Sequence, residues 1–234
     1  MERPSDDRHV GNYEKLAYYY DELLQDEEAL PLWLEKIEAL HPEHILELAS
    51  GSALITGILE EKGYDITASD ISEDMKEASK NNYRGDYLLL DMTDFSLEKR
   101  FDLIFAIVDS VNYLDREGFL SFLRCSYEHL EEGGHLLFDM HSVKRLEEFE
   151  EEYIEEGIVS GVPYFWSILS DPDESILQEH FTFYEKDRMI QEDHLQYVYP
   201  IEDVRKMMEE TGFTVRVYED FIEDEKVMMI GEKV

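Results

Sequence analysis

The chain has 234 residues, of which 43% are hydrophobic and 12% aromatic, enough for one packed core and too apolar for a disordered segment. Its 57 Asp and Glu stand against 21 Lys and Arg, and the resulting formal charge of −36 argues against nucleic acid as a partner, because such affinity rests on cations that neutralise phosphates. The single cysteine, Cys125, rules out an internal disulfide framework and suits a reducing cytoplasm, and no apolar run is long enough to span a bilayer.

In chain order, residues 12–40 (NYEKLAYYYDELLQDEEALPLWLEKIEAL) read as one or two helices. From residue 44 to about 140, short apolar runs alternate with amphipathic stretches. The predicted strands are HILEL (44–48), DITAS (65–69), DYLLL (86–90), FDLIFAIV (101–108) and HLLFDM (135–140). Between them lie the predicted helices ALITGILEEKG, SEDMKEASKNN and DREGFLSFLRCSYEHLEEGG, the last closed by a Gly-Gly stop. Strands alternating with helices predict parallel strands joined by right-handed crossovers, hence a doubly wound α/β sheet. The acidic block EEFEEEYIEEG (147–157) reads as the exposed face of a helix, and 158–199 as inserted antiparallel strands rich in aromatic residues. A last helix, IEDVRKMMEETG, leads to a closing antiparallel pair, FTVRVYEDF and KVMMIGEKV. One domain over residues 1–234 is expected.

Chemistry is expected at the carboxyl ends of the predicted strands, where ligands of such sheets bind. ILELASGSALIT (45–56) is a strand, a turn and a helix, but it lacks the G-x-G-x-x-G that lets a pyrophosphate approach a helix N-terminus, which sets aside a dinucleotide oxidoreductase. Gly51 supplies an unusual dihedral and Ala49 and Ala53 keep the turn small; alone, the stretch reads equally as an ordinary tight connection. Asp70, ending TASD, stands where a carboxylate grips a ribose diol, or caps the next helix, a role Ser72 fits better. Asp91, after the third strand, is placed to accept a hydrogen bond from an exocyclic amine. The three together are more specific than any one.

ILELASGSALIT, SDISEDM, LLLDMTDF and FDLIFAIVDSVNYL, in this order and spacing, resemble the class I S-adenosylmethionine (SAM)-dependent methyltransferases, and most closely the small stand-alone bacterial members with a Tyr-rich first helix and a β-insertion before the last helix. The resemblance implies a mostly parallel seven-stranded Rossmann-like sheet, a helical lid over residues 10–40 and a β-insertion at about 158–199. It implies SAM as cofactor and S-adenosylhomocysteine (SAH) as product. Glu47, Ala49, Gly51 and Ala53 match the family's glycine loop. By the same resemblance Asp70 holds the ribose hydroxyls, Ile71 and Met75 pack on the adenine, and Asp91 with the Met92 backbone reads its amino group. Asp109 and Asn112 match a stretch beside the methionine end, and Tyr13 and Tyr20 match tyrosines of the lid. Ala53 stands where the family usually has glycine, and Ser50 where cysteine is common, so an added methyl is expected to crowd the methionine end if the backbone comes close there.

A methyl transfer asks little of side chains, and a base is needed only if the nucleophile arrives protonated. His141, His180 and His194 are the candidates, each also readable as structural, and Tyr164, Trp166, Tyr197 and Tyr199 either wall an acceptor pocket or form the insertion's own core. Neither H-E-x-x-H nor a cysteine cluster suggests a metal, and no G-x-S-x-G suggests a hydrolase. The expected reaction is methylation of N or O on a small-molecule acceptor by a cytoplasmic enzyme, monomer or homodimer. The alternatives are an RNA or protein methyltransferase, which needs a basic patch beside the cleft, and a non-catalytic SAM- or SAH-binding protein.

Overall fold

The computed structural model describes residues 19, 22–23, 29–219, 221–222 and 225–234. Most of the expected lid, with Tyr13 and Tyr20, lies outside the described residues; its last part is helix α1 (Leu30–Glu38). The chain then runs β1 (His44–Glu47), α2 (Leu54–Glu61), β2 (Asp65–Asp70), α3 (Glu73–Ala78), β3 (Tyr87–Leu89), β4 (Phe101–Ala106), α4 (Arg116–His129) and β5 (Leu130–His141). A short α5 (Lys144–Glu148) precedes β6 (Tyr153–Val159), β7 (Val162–Asp171), β8 (Ile176–Glu185) and β9 (Arg188–Tyr197). Helix α6 (Ile201–Thr211), β10 (Phe213–Glu219) and β11 (Lys226–Lys233) complete it.

The main sheet has seven strands in the order β10-β11-β5-β4-β1-β2-β3. β3, β2, β1, β4 and β5 pair in parallel, while β11 runs antiparallel to both β5 and β10. Successive side chains of a strand face opposite sides, and both sides are apolar here. Leu46, Ile104, Ala106, Phe138 and Met140 join Phe119, Phe122 and Leu123 of α4 and Val204, Met207 and Met208 of α6 in one core. Ile45, Leu103, Phe105 and Leu137 join Trp33 and Ile37 of α1 and Leu59 of α2 in the other. Helix α4 starts where the Asp115 carboxylate accepts from the Gly118 N–H at 2.8 Å, and α6 ends at Gly212, whose φ of +119° is open to glycine.

Two boundaries differ from expectation. Gly133 and Gly134 do not stop α4; the helix ends at His129 and both glycines lie inside β5, which begins five residues before the predicted run. Residues 153–157 of the acidic block are strand, not helix: Tyr153, Glu155 and Gly157 alternate with outward residues as the start of β6. The second sheet, antiparallel in the order β6-β7-β8-β9, thus spans 153–197. Its inner face carries Val159, Phe181, Phe183 and Ile190 in one apolar cluster and Ile168 and Leu177 with Leu146 and Phe149 in another.

Three polar ties seat this sheet over the carboxyl edge of the first. The Asn112 amide donates to the Tyr197 carbonyl at 2.7 Å, the Tyr199 hydroxyl donates to the Leu114 carbonyl at 2.8 Å, and His141 Nε2 lies 3.1 Å from Gln196 Oε1. Among the described residues no helix is long and apolar enough to cross a membrane.

Helix α2 lies so close to the turn after α3 that a Cβ on Gly57 would stand 2.1 Å from the Asn82 carbonyl oxygen. That partner is backbone and cannot swing aside. Gly57→Ala is therefore expected to lower stability by about 2 kcal/mol or more, read as a fall in the urea midpoint with an unchanged slope.

Candidate active site

The site is built on the loop between β1 and α2. Ala49, Gly51 and Ala53 all take left-handed backbone, at φ +51°, +52° and +57°. For the two alanines this conformation costs about 1–2 kcal/mol each, so the surroundings must hold it. They do so from several sides. The Ser50 N–H donates to the Ser69 carbonyl at 2.8 Å, and the Leu48 N–H to the Phe105 carbonyl at 2.8 Å. The Gly51 N–H donates to Asp70 Oδ2 at 3.0 Å, and the Tyr87 hydroxyl donates to the Gly51 carbonyl at 2.7 Å. The other Asp70 oxygen accepts from the Ser72 N–H at 2.9 Å. Ser72 itself caps α3 through the Met75 N–H, as its position in the sequence suggests.

A cleft opens above this loop at the carboxyl ends of β1, β2, β3 and β4. Ala49, Gly51, Asp70, Ile71, Met75, Asp91 and Met92 line it, so seven of the expected residues share one wall system. Ile71 is 53% exposed, an apolar side chain turned to open space beside a carboxylate. Asp70 is almost buried, and burial pushes its carboxyl above the ordinary range against the pull of the backbone N–H groups it accepts from. Asp91 is exposed at the rim, its Oδ1 accepting from the Thr93 N–H at 2.8 Å and hydroxyl at 2.7 Å. The Ala53 methyl does not reach the cleft: it is fully buried in the core with Ile45, Ile55 and Leu59, so the expected crowding of a ligand by Ala53 does not arise.

The remaining expected residues stand behind the cleft. Glu47 is buried beneath the loop, where the Thr56 hydroxyl donates to it and the Ser69 hydroxyl bonds its carbonyl at 2.8 Å. Burial, with the nearby Asp70 charge, pushes its carboxyl up to about 8. Asn112 bridges the two sheets, accepting from the His141 N–H at 3.0 Å as well as donating to Tyr197. Asp109, at φ +58°, pairs with Lys226 at 2.9 Å and lies 3.6 Å from His141 Nδ1. Burial works to raise its carboxyl, but His141 and Lys226 outweigh that and hold it well below the ordinary range. Asp139, whose carboxyl oxygens accept from the Asp109 N–H at 3.2 and 3.3 Å, is raised well above its ordinary value by burial and by Asp109. Burial also lowers His141 to about 4, against the pull of Asp109.

Of the other histidines, His180 sits on the outer face of the second sheet, bonded to Asp193 at 2.5 Å and Thr182 at 3.0 Å, away from the cleft. His194 is on the inner face, buried, with Nδ1 3.3 Å from the Tyr113 hydroxyl. Trp166 stacks on Phe181 at 5.3 Å, Tyr164 joins the same apolar cluster, and Tyr199 packs against the main core, so these aromatics are largely core. The sequence reading missed Leu90, Thr93, Val108, Ser110, Tyr113 and Leu114, which also line the cleft. It also missed Lys226 and Asp139. Asp139 lies near the carboxyl end of a parallel strand, two residues before β5 stops, and that position was available to find it; Lys226 carries no local signal.

A seven-stranded sheet with one reversed strand, and a ligand-sized cleft flanked by a glycine loop and by carboxylates at the ends of β2 and β3, defines the class I methyltransferase fold. Comparison with known proteins agrees. Residues 45–134 match the family described as a methyltransferase domain. The chain is 29% identical over 226 residues to YqeM of Bacillus subtilis (strain 168), a protein with a provisional methyltransferase name, covering 91% of each chain. It superposes on a SAM-dependent methyltransferase from Clostridium acetobutylicum ATCC 824 with a TM-score of 0.80 at 21% identity, covering 94% of this chain and 98% of the other. On the sugar N-methyltransferase KedS8 of Streptoalloteichus sp. ATCC 53650 the TM-score is 0.79 at 18% identity, covering 93% and 92%. Residues 45–134 thus match a methyltransferase domain, and the chain around them takes the fold of SAM-dependent methyltransferases.

Glu47 gives the loop a pH signature. Its carboxyl takes a proton near pH 4.5 in ordinary surroundings and near 8 in the fold, so between these values the folded chain binds the extra proton. Stability is then fully present below about pH 4.5 and declines as pH rises to about 8. Glu47→Gln is expected to flatten that decline, measured as urea midpoints at pH 5.5 and pH 8.5; an identical fall in both proteins would contradict it.

Proposed function

We propose that this methyltransferase moves a methyl group from SAM to N or O of a small-molecule acceptor and releases SAH, as a cytoplasmic enzyme. The observation that carries the reading is the set of side chains gathered in the cleft: the Asp70 carboxyl, the exposed apolar Ile71, Met75 and the rim carboxylate of Asp91 around a side-chain-free Gly51. They suit a nucleoside with a charged amino-acid tail and no phosphates. An ionised carboxylate offers about four lone-pair sites, so Asp70, with two backbone N–H groups already on it, keeps acceptor capacity for a ribose diol. Ile71 and Met75 would flank the base, and Asp91 with the Met92 backbone would read its exocyclic amine. Bound there, SAM would supply a methyl group already activated on a sulfonium.

What the chain then adds is alignment. Holding a nucleophile in line with that methyl is worth about 7–11 kcal/mol of barrier, and the second sheet, tied over the cleft by Asn112, Gln196 and Tyr199, is the element in position to do it. KedS8, a sugar N-methyltransferase with the same fold, supports an acceptor of small-molecule size. The net charge of −36 supports a neutral or cationic acceptor over an RNA backbone.

Calorimetric titration with SAM and SAH tests the reading. Both are expected to saturate at one site, and Asp70→Ala, by removing charge-assisted hydrogen bonds of about 1.5–3 kcal/mol, is expected to weaken SAH binding about 10- to 100-fold. A folded wild-type protein that binds neither would contradict it.

A further inference from the structure

Tyr113 joins the cleft, which it lines, to the inner face of the second sheet, where its hydroxyl meets a buried histidine. It sits in the turn Ser110–Tyr113 after β4, lines the cleft beside Ser110 and Leu114, and places its hydroxyl 3.3 Å from His194 Nδ1. The imidazole is 3% exposed and held edge-on by two rings, Tyr113 at 5.8 Å and Phe181 at 5.5 Å. Its far nitrogen, Nε2, lies 3.7 Å from Oε2 of Glu192, which is itself 8% exposed. A phenol, an imidazole and a carboxylate thus run in series from the cleft into a dry interior.

We propose that Tyr113, His194 and Glu192 form a proton relay serving methyl transfer, and that the acceptor is therefore one whose attacking atom carries a hydrogen: an amine or a hydroxyl, not a thioether or a tertiary amine. This rests on the methyltransferase reading. As the bond from acceptor to methyl carbon forms and the methyl–sulfur bond breaks, with its electron pair kept by sulfur, the acceptor must shed one proton. That proton passes to Tyr113 Oη while the phenol's own proton passes to His194 Nδ1. The product side then holds a neutral methylated acceptor, a neutral phenol and an imidazolium whose Nε2–H faces Glu192. A tyrosine alone is too weak a base for this near neutral pH, and a histidine buried behind it cannot touch the acceptor; in series each supplies what the other lacks. Tyr113 is the catalytic residue, and His194 and Glu192 act through it.

Two carboxyl groups face His194: Glu192 flanks it on β9, and Glu179 stands opposite it across the β8–β9 pair, its carboxyl raised by burial against the pull of His194. Glu179 is oriented by the Trp166 indole N–H, which donates to it at 3.2 Å, and it also feels Arg145 and Asp109. His141 and its partners Asp109 and Lys226 form the separate cluster described above, tied to Asn112 and Gln196.

The test separates a relay from a mere joint between the sheets. His194→Gln can still accept the Tyr113 hydrogen bond but cannot take a proton. SAH formation is followed from pH 5 to 9 with 2-aminoethanol and glucosamine as amine probes and with ethylene glycol and glucose as hydroxyl probes, and SAM affinity is measured in parallel by calorimetry. The relay predicts unchanged SAM affinity, a kcat at least 100-fold lower with little change in KM, and a rise in rate with pH in wild type that the variant loses. A variant that keeps its rate and its pH dependence overturns the proposal. The tautomer of neutral His194 in the SAH complex, read by 15N NMR, decides even if no probe is methylated. Hydrogen on Nε2 supports the relay; hydrogen on Nδ1 would reverse the Tyr113 bond and overturn it. Absence of SAM and SAH binding in wild type would instead sink the underlying reading, and the relay with it.

Discussion

The site depends on one carboxylate with two backbone partners. Asp70 ends β2, and its oxygens accept from the N–H of Gly51 on one side and of Ser72 on the other. The first bond helps hold a loop of three left-handed residues, two of them alanines that do not favour it; the second sets the chain for the Ser72 cap of α3. Remove the carboxylate and the Gly51 N–H loses its partner, while Ala49 and Ala53 lose part of what outweighs their strain. The same side chain that would bind a ribose is thus the one that keeps the loop ready for it. Positioning and binding are a single device here.

The second sheet is fastened to the carboxyl edge of the first. It is tied to the first by Asn112, Gln196, Tyr199 and the Tyr113–His194 contact. Within a chain of formal charge −36, Lys226 is spent on an interior task, balancing Asp109 beside His141. Breaking such a pair leaves a charge stranded in low dielectric.

Much of this was legible in the sequence because parallel strands buried on both faces leave continuous apolar runs, and their carboxyl ends announce themselves with Gly51, Asp70 and Asp91. The closing β10–β11 pair was legible for the same reason. Two errors have local causes. Gly133 and Gly134 resemble a helix stop, yet they fall in an irregular stretch of β5 between Leu130, which pairs with Phe101, and His135, which pairs with Leu103 and Glu232. The glutamates before Gly157 resemble a helix surface, yet Tyr153 to Val159 pair with β7 and turn alternate residues inward. Tertiary pairing overrode local propensity in both cases. Lys226, Tyr113 and the partnership of His194 with the cleft were not legible, since each depends on segments 80 or more residues apart meeting across two sheets. Asn112 and Asp109 illustrate the reverse: the resemblance placed them at the cofactor, while the fold uses them to tie β4, β5, β9 and β11 together behind it.

A crystal structure of the protein grown with SAH tests the central claim most directly. The account predicts the nucleoside in the cleft above Gly51, its ribose hydroxyls within hydrogen-bond distance of Asp70 and its base between Ile71 and Met75, with the β1–α2 loop keeping its three left-handed residues. SAH bound elsewhere, or a cleft filled by Ile71 and Met75 with no nucleoside in it, would contradict the account.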